Sequence, residues 1–350
     1  MMRNKILLLL VIFLYILSCY NYKIDFMSNT VVINPDDVPD VKWPFRNVFD
    51  DKGNKLNVIL ISAPFRTDED VENYNKYLEM GLNFCGISSY LNFPDPLDSP
   101  YEDMYHVTNN HDYLSMVSAW LHCFREPSEK IKASGLPLLL LTEADLKDFS
   151  NITVPNQPKE YDFFYSCPKD DDKCNPGWQS YNRNWELTKE CLKVMCSKYK
   201  LKGVIVGREN CEFTELCSDY ITILPALEFH EFQATMQKCK FLFVPNIMDA
   251  SPRVITEALC YNMPVLVNYN IVGGWHNVIP NVTGEFFTDD NNIKEALDKL
   301  INNTYQPRKW FEANRGKEIS GGKMAQFLIK HFPNLGGNVV KPKQIKYVTM

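Results

Sequence analysis

The stretch Phe241-Leu-Phe-Val-Pro245-Asn-Ile-Met-Asp249-Ala-Ser251-Pro252-Arg-Val-Ile-Thr-Glu257-Ala-Leu-Cys-Tyr-Asn-Met-Pro264-Val-Leu-Val267 decides the reading of this chain. A short apolar run rich in Phe and Val ends at Pro245. A loop follows, then a helical stretch, then a second apolar run that opens at Pro264. Strand, helix, strand is the unit of a parallel sheet. Ser251 reads as the helix N-cap and Pro252 as the first helical residue, where its missing N–H goes unused. The amides of Arg253 and Val254 then point out of the helix start, a site suited to phosphate. Asp249, just ahead of the helix, and Glu257, inside it, cannot share that role. Carboxylates accept hydrogen bonds from hydroxyls, which suits ribose and sugar.

The alternation extends in both directions. On the carboxyl side of a Pro-containing linker (Asn151 to Lys159), strands are expected at Tyr161–Ser166, Lys202–Gly207, Tyr220–Leu224, Phe241–Pro245 and Pro264–Asn268. Helices are expected at Arg183–Tyr199, Phe229–Cys239, Pro252–Tyr261 and Ile293–Ile301. Before the linker, strands are expected at Leu56–Ser62, Asn83–Ser88 and Leu136–Thr142, with helices at Asp68–Met80 and Tyr113–Phe124. Tyr90 to Asn110 reads as a long Pro- and Asp-rich loop, and such loops often carry function. The pattern gives an α/β chain with two doubly wound halves, the first reduced, in which ligands bind at the carboxyl ends of the strands. The expected division is 1–22 as a signal peptide or signal-anchor, 23–50 as a stem, 51–152 as the first α/β domain, 153–335 as the second and 336–350 as a tail.

The composition agrees. The chain has 350 residues, 45% of them hydrophobic and 23% charged, which suits two globular domains and excludes a disordered or polytopic chain. Its net charge of −6 and lack of a basic run disfavour a nucleic-acid binder. Arg3 and Lys5 precede an apolar run from Ile6 to Leu17. That run is short for a membrane span, and the residues after it make a poor cleavage site, so both a cleaved signal and a membrane anchor stand open, with the body translocated in either case. Asn151, Asn281 and Asn302 head glycosylation sequons. Of 11 cysteines, Cys19 lies in the apolar run; the spacings of Cys191/Cys196 and Cys211/Cys217 are not zinc signatures, and Cys239 and Cys260 read as buried thiols. Asp170-Asp171-Asp172 sits in a Pro-Gly loop and reads as a solvated charge run rather than a metal site. Gly207-Arg208-Glu209 ends a strand, with Arg208 facing either phosphate or solvent.

Taken together, residues 160 to 305 resemble the donor-binding half of retaining GT-B glycosyltransferases of the group-1 (family-four) type. The family signature is Glu, seven residues, Glu-Ala, then Gly-x-Pro-Val. This chain has Asp249, seven residues, Glu257-Ala258, then Asn262-Met-Pro264-Val265. Gly273-Gly274 and Asn281-Val-Thr-Gly284 are similar to the family's Gly-Gly loop and the turn before its last strand. Ile223-Leu-Pro225, with His230-Glu-Phe and Met236 beyond, is similar to the segment that holds the nucleotide base, which implicates Gly207, Pro225 and Leu227.

The resemblance implies a transferase that takes a sugar from a nucleotide diphosphate donor, needs no metal or other cofactor, and retains anomeric configuration. Glu257 would accept the ribose hydroxyls, Asp249 would contact the donor sugar, and Ser251 to Val254 would hold the distal phosphate. Lys169 and Arg183 are the loose matches for the basic pair that offsets diphosphate charge. The acceptor would be a glycan, lipid or protein.

Several departures bear on this. Asp replaces the first Glu, and Trp275-His276-Asn277 stands where an acid often follows the Gly-Gly pair. The family's acceptor-side His follows a strand like Leu136–Thr142, but here Glu143-Ala-Asp145 follows, so either that His is absent or His106 or His111 supplies it from the long loop. A non-catalytic sugar-nucleotide or glycan binding module is the alternative. A nicotinamide enzyme is disfavoured because no Gly-x-Gly-x-x-Gly follows the first strand of either half.

Overall fold

Two six-stranded sheets carry the chain in a computed structural model that describes residues 35–95, 111–154, 156, 158–211, 213, 215–332, 335 and 345–347. The expected segment 1–22 and His106 lie outside the described residues. Among the described residues no helix is long and apolar enough to cross a membrane.

The first sheet comprises β1 (Phe45–Asp50), β2 (Lys55–Ile61), β3 (Asn83–Ile87), β4 (Trp120–His122), β5 (Leu138–Leu140) and β12 (Ile345–Tyr347). Their order is β12-β1-β2-β3-β4-β5. From β2 to β5 the strands are parallel, while β1 and β12 add antiparallel pairs at one edge. Helices α1 (Asp68–Glu79) and α2 (Glu129–Ala133) belong to this half. Thr67 and Asp70 form a reciprocal capping box at the start of α1, which is why the helix begins there.

Two expectations change in this half. Residues 45–50, assigned to the stem, are a strand of the first sheet, paired on both sides, whose Phe45 and Val48 are buried. Residues 113–124, expected as a helix, are a turn followed by β4. The apolar spacing there anchors a loop instead. Tyr113 and Leu114 pack among Phe65, Phe93 and Trp120, and the Tyr113 hydroxyl accepts from the Phe65 amide at 2.7 Å. Short apolar runs look alike in a buried strand and a buried helix, so periodicity alone does not separate them. Gly86 on β3 is required by β4: a Cβ there would lie 2.1 Å from the Trp120 ring.

The second sheet contains β6 (Tyr161–Ser166), β7 (Gly203–Val206), β8 (Ile221–Leu224), β9 (Cys239–Val244), β10 (Val265–Asn268) and β11 (Gly284–Phe287). It is parallel throughout, in the order β11-β10-β9-β6-β7-β8. Its helices are α3 (Trp178–Asn182), α4 (Trp185–Ser197), α5 (Phe229–Gln237), α6 (Arg253–Cys260) and α7 (Ile293–Asn302). The helix expected over 183–199 is α4, Trp185–Ser197; a further short helix, α3, precedes it, and Asn184, with φ 53°, separates the two. One hydrophobic core lies on each face of this sheet, as a doubly wound sheet requires.

Helices α8 (Pro307–Asn314) and α9 (Gly316–His331) had no counterpart in the sequence reading. Met324, Ala325 and Leu328 of α9, with Phe332 and Leu335, pack against Val48, Leu56, Val58 and Leu60 of the first sheet. The expected unit 153–335 therefore gives its last helix to the other half. Disulfides join Cys174 to Cys211 and Cys196 to Cys217, while Cys239 and Cys260 are buried thiols as expected.

Candidate active site

A cavity of about 540 Å³ opens between the two halves. Arg46, Ser89 and Glu143 line it from the first half; Arg183, Phe229, Phe232, Asp249, Ser251, Arg253, Val254 and Glu257 line it from the second. Most of these residues lie just past the carboxyl end of a parallel strand, where open α/β sheets bind ligands.

The floor is the start of α6. Pro252 is the N-cap residue and makes no side-chain cap. Ser251, expected as the cap, instead accepts a hydrogen bond from the Ala144 amide across the cleft, at 3.0 Å. The first amides of α6 thus have no competing hydroxyl, and the helix dipole adds partial positive charge at the same place. The Gly273-Gly274 pair lies directly beneath. A Cβ on Gly273 would sit 1.8 Å from the Ala250 carbonyl oxygen, and Gly274 has φ +74° with a Cβ position 2.3 Å from Pro252. The Gly273 amide donates to the Asp249 carbonyl at 2.9 Å. These glycines support the loop rather than line the cavity.

Charges alternate around the floor. Arg183 Nη1 pairs with Asp249 Oδ2 at 2.9 Å, and Asn246 Nδ2 donates to the same oxygen at 3.2 Å. The break at Asn184 leaves Arg183 at the α3–α4 junction, where it reaches the wall. Glu257, only 7% exposed, pairs with Lys147 Nζ at 3.1 Å. Across the cavity, Arg46 Nε pairs with Glu143 Oε1 at 3.3 Å. Phe229 is 62% exposed at the mouth, beside Phe232.

The structure thus brings together Arg183, Asp249, Ser251, Arg253, Val254 and Glu257 of the residues singled out from sequence. Others stand back from the wall. Arg208 is 1% exposed, donates to Cys167 Sγ and Ser180 Oγ, and lies over the Trp185 ring; it is a buried cation that faces neither phosphate nor solvent. Gly207, φ +92°, turns the chain tightly past Pro168. Lys169 pairs with Asp172 and Glu209, both at 3.1 Å. His111 stacks near Phe65 and Tyr113 and is not on the cavity wall. Pro225 and Leu227 follow β8, where Leu227 packs against the core under α5. The three acids of the 170–172 run each take a local partner: Asp170 caps α3 through the Gln179 and Ser180 amides, Asp171 accepts from the Lys173 and Asn175 amides, and Asp172 holds Lys169. Among the described residues no cluster of His, Cys, Asp and Glu is arranged to hold a metal ion.

Sequence reasoning missed Arg46, Ser89, Phe229 and Phe232. Arg46 sat in the supposed stem, and Phe45-Arg46-Asn47-Val48 lacks the apolar–polar alternation that would have marked a strand. Phe229 and Phe232 were legible only as helix residues.

A buried polar junction fixes the two halves behind the cavity. Asp145 accepts from His276 Nε2 at 2.8 Å and from Asn277 Nδ2 at 2.9 Å, with Arg315 Nε at 3.6 Å. Burial by itself would raise the Asp145 carboxyl. Attraction to His276, with hydrogen bonds from His276, Asn277 and the Thr142 amide, outweighs burial and holds it well below the usual carboxylate range. Nearby, Arg125 packs over the rings of Tyr269 and Trp275, and Trp275 Nε1 donates to the Cys123 carbonyl at 2.8 Å.

Residues 180–317 match the family model described as "Glycosyl transferases group 1". Every residue of the second half that lines the cavity falls within that span. Among solved structures, the chain is similar to a lipopolysaccharide outer core galactosyltransferase, WaaB, in its apo form, with TM-score 0.54 and 10% identity over 78% of this chain and 75% of that one. It is also similar to sucrose-phosphate synthase from Thermosynechococcus elongatus, with TM-score 0.49 and 13% identity over 78% and 74% of the two chains. No curated protein matches it in sequence. At such identities the likeness is one of fold, and that fold is the GT-B arrangement of two Rossmann-like halves.

Proposed function

We propose that this protein is a glycosyltransferase that moves a sugar from a nucleotide diphosphate donor to an acceptor hydroxyl, with retention of configuration. The observation that carries the reading is the cavity floor: an uncapped helix start, two arginines and two carboxylates converge within the segment that matches the family model. A diphosphate would accept from the amides of Arg253 and Val254 and from Arg183. Glu257 would accept from the ribose hydroxyls, and Phe229 and Phe232 offer aromatic faces to the base. Asp249 would accept from a hydroxyl of the donor sugar.

In a retaining front-face transfer, the bond from the anomeric carbon to the diphosphate oxygen breaks as the bond to the acceptor oxygen forms. The acceptor proton passes to the departing diphosphate, whose growing charge Arg183 and the α6 dipole stabilise. Glu143, held by Arg46 on the opposite wall, stands where the acceptor would enter. The two disulfides and the exposed sequon residues Asn151, Asn281 and Asn302 support a body in an oxidising, extracytoplasmic compartment, with residues 1–22 as its anchor or signal.

The test is a thermal-shift panel of nucleoside diphosphates and their sugars, followed by measurement of nucleotide release. Ligand binding raises apparent stability by mass action. Stabilisation with release supports the transferase. Stabilisation without release or transfer supports the binding module instead, and no stabilisation by any nucleotide refutes both.

A further inference from the structure

A second aromatic feature borders the cavity on its first-half side. Trp43 is 39% exposed, although buried Pro44 and Phe45 follow it directly. The Arg66 guanidinium covers one side of its indole, 4.3 Å from the ring centroid. Arg66 also lies 5.6 Å from the Tyr90 ring centroid and donates to the Tyr90 hydroxyl at 3.0 Å. The Trp43 and Tyr90 rings meet edge to face, 6.4 Å apart. The group is therefore held in one geometry rather than left as three loose surface side chains.

Its place in the fold ties it to the cavity. Trp43 is three residues from Arg46, and Tyr90 directly follows Ser89; both Arg46 and Ser89 are on the cavity wall. Trp43 and Pro44 form a turn ahead of β1, so at roughly 3.3 Å per extended residue Trp43 is at most about 10 Å from Arg46 on the wall, the span of two linked sugar rings. Two further hydrogen bonds fix these segments to the end of β2. The Ser62 amide donates to the Pro44 carbonyl at 2.9 Å, and the Ser89 hydroxyl donates to the Ser62 carbonyl at 3.2 Å.

We infer that Trp43, Arg66 and Tyr90 form an acceptor subsite that takes a pyranose ring, so that the acceptor is a carbohydrate. This rests on the glycosyltransferase reading. The C–H face of a pyranose is apolar while its rim is hydroxylated. An exposed indole whose other side is braced by a cation offers the matching flat apolar surface, and the Arg66 guanidinium and the Tyr90 hydroxyl supply polar atoms beside it. A lipid tail would call for a contiguous apolar groove, and a peptide for an open strand edge. This rigid polar-rimmed platform suits neither as well. Arg66 acts here as a positioning residue, since it holds both rings.

Saturation-transfer NMR on the full chain tests the subsite, with the methyl α- and β-glycosides of glucose, galactose, mannose and N-acetylglucosamine as probes. At least one glycoside should receive saturation on its ring C–H protons. Trp43→Ala should weaken that binding about tenfold, and Trp43→Phe should recover part of it, because an aromatic face returns. An excess of UDP should leave the signal in place, since the nucleotide belongs at α6. Absence of any glycoside signal, full binding by Trp43→Ala, or displacement by UDP would each overturn the subsite. The thermal-shift response to nucleotides reports separately on the parent reading, because none of these three residues lines the α6 floor.

Discussion

Replacing Gly273 by alanine tests whether the loop ahead of α6 forms the site. The new Cβ would lie 1.8 Å from the Ala250 carbonyl oxygen and 2.4 Å from its carbon. Real Cβ atoms stay at least 3.0 Å from such atoms, so the two segments must separate by about 3.0 − 1.8 = 1.2 Å. The obstacle is backbone, so no side chain can swing aside. The separation also breaks the 2.9 Å bond from the Gly273 amide to the Asp249 carbonyl. Overpacking of this kind destabilises by about 1–3 kcal/mol.

The displaced loop carries Asp249, Ser251 and Pro252, so the shift reaches the cavity floor directly. A misplacement of about 1 Å lowers catalysis on the order of a hundredfold. Gly273→Ala should therefore lower the melting temperature by several degrees and reduce transfer about a hundredfold, with weaker nucleotide binding per folded molecule. Calorimetric titration with nucleoside diphosphate, alongside a melt, measures each part. A variant that melts lower yet binds nucleotide and turns over as before would show that the 249–252 loop does not form the site.

Three further outcomes are expected. Glu257→Ala should weaken nucleotide binding about 10- to 100-fold, because hydrogen bonds to a charged group contribute roughly 1.5–3 kcal/mol; unchanged affinity in titration removes the ribose role. Asp249→Asn should keep nucleotide affinity while lowering transfer at least about tenfold, since the amide still fills the loop but the charge at the sugar is lost; full turnover would reduce Asp249 to a partner for Arg183. Asp145→Ala should destabilise by about 3–5 kcal/mol at neutral pH by leaving His276 and Asn277 without their acceptor and Arg315 without the negative charge beside it. The folded pKa of Asp145 is depressed, so its contribution is full above the unfolded value of about 3.9 and fades as pH falls below it. Melts across pH 2–7 should show the gap between wild type and Asp145→Ala narrowing only at the acid end; a constant gap would show that the carboxylate's charge is not what stabilises the junction.

The second half was legible because its code is local. Its strands are short buried runs, its helix starts are punctuated by Pro and Gly, and Asp249, Glu257 and the glycine pair keep fixed spacings along one supersecondary unit. The first half was less so. Trp120 and Tyr113 belong to one aromatic cluster whose members are far apart in sequence, and a helical spacing arose by coincidence within it. Arg46 and Phe45 face opposite sides of a six-residue strand, Phe45–Asp50, whose sequence shows no clean apolar–polar alternation. The role of α9 was hidden for another reason. Its apolar face is a helix signal, but nothing local says that the face packs on a sheet more than 250 residues earlier. Ser251 shows the limit at the site itself: its sequence context is that of a cap, yet a tertiary partner, the Ala144 amide, takes its hydroxyl.

That exchange explains how a cleft between two halves becomes one site. Ser251, Glu257 and Asp145 each bond across it, to the Ala144 amide, to Lys147 and to His276 respectively. All three crossings run through one short segment, Thr142 to Lys147, which follows β5. These crossings hold the two halves together beside the floor of α6, alongside the Trp275–Cys123 and Arg125 contacts and the return of α9. It also puts Lys147 within reach of Glu257 at 3.1 Å, so that the carboxylate assigned to the ribose already has a cationic partner from the opposite half. A ribose that bonds Glu257 must share or replace that cation, and either change is felt at Glu143 four residues away, on the acceptor wall. On the proposed reading, donor binding and acceptor geometry would be coupled through this loop. Lys147→Met, which keeps most of the apolar stem and removes the charge, should raise nucleotide affinity if the donor must displace Lys147, and lower it if the cation stays to steady Glu257. Titration of that variant alone, read against Glu257→Ala, decides which. Unchanged affinity would mean that the two halves do not communicate through this pair.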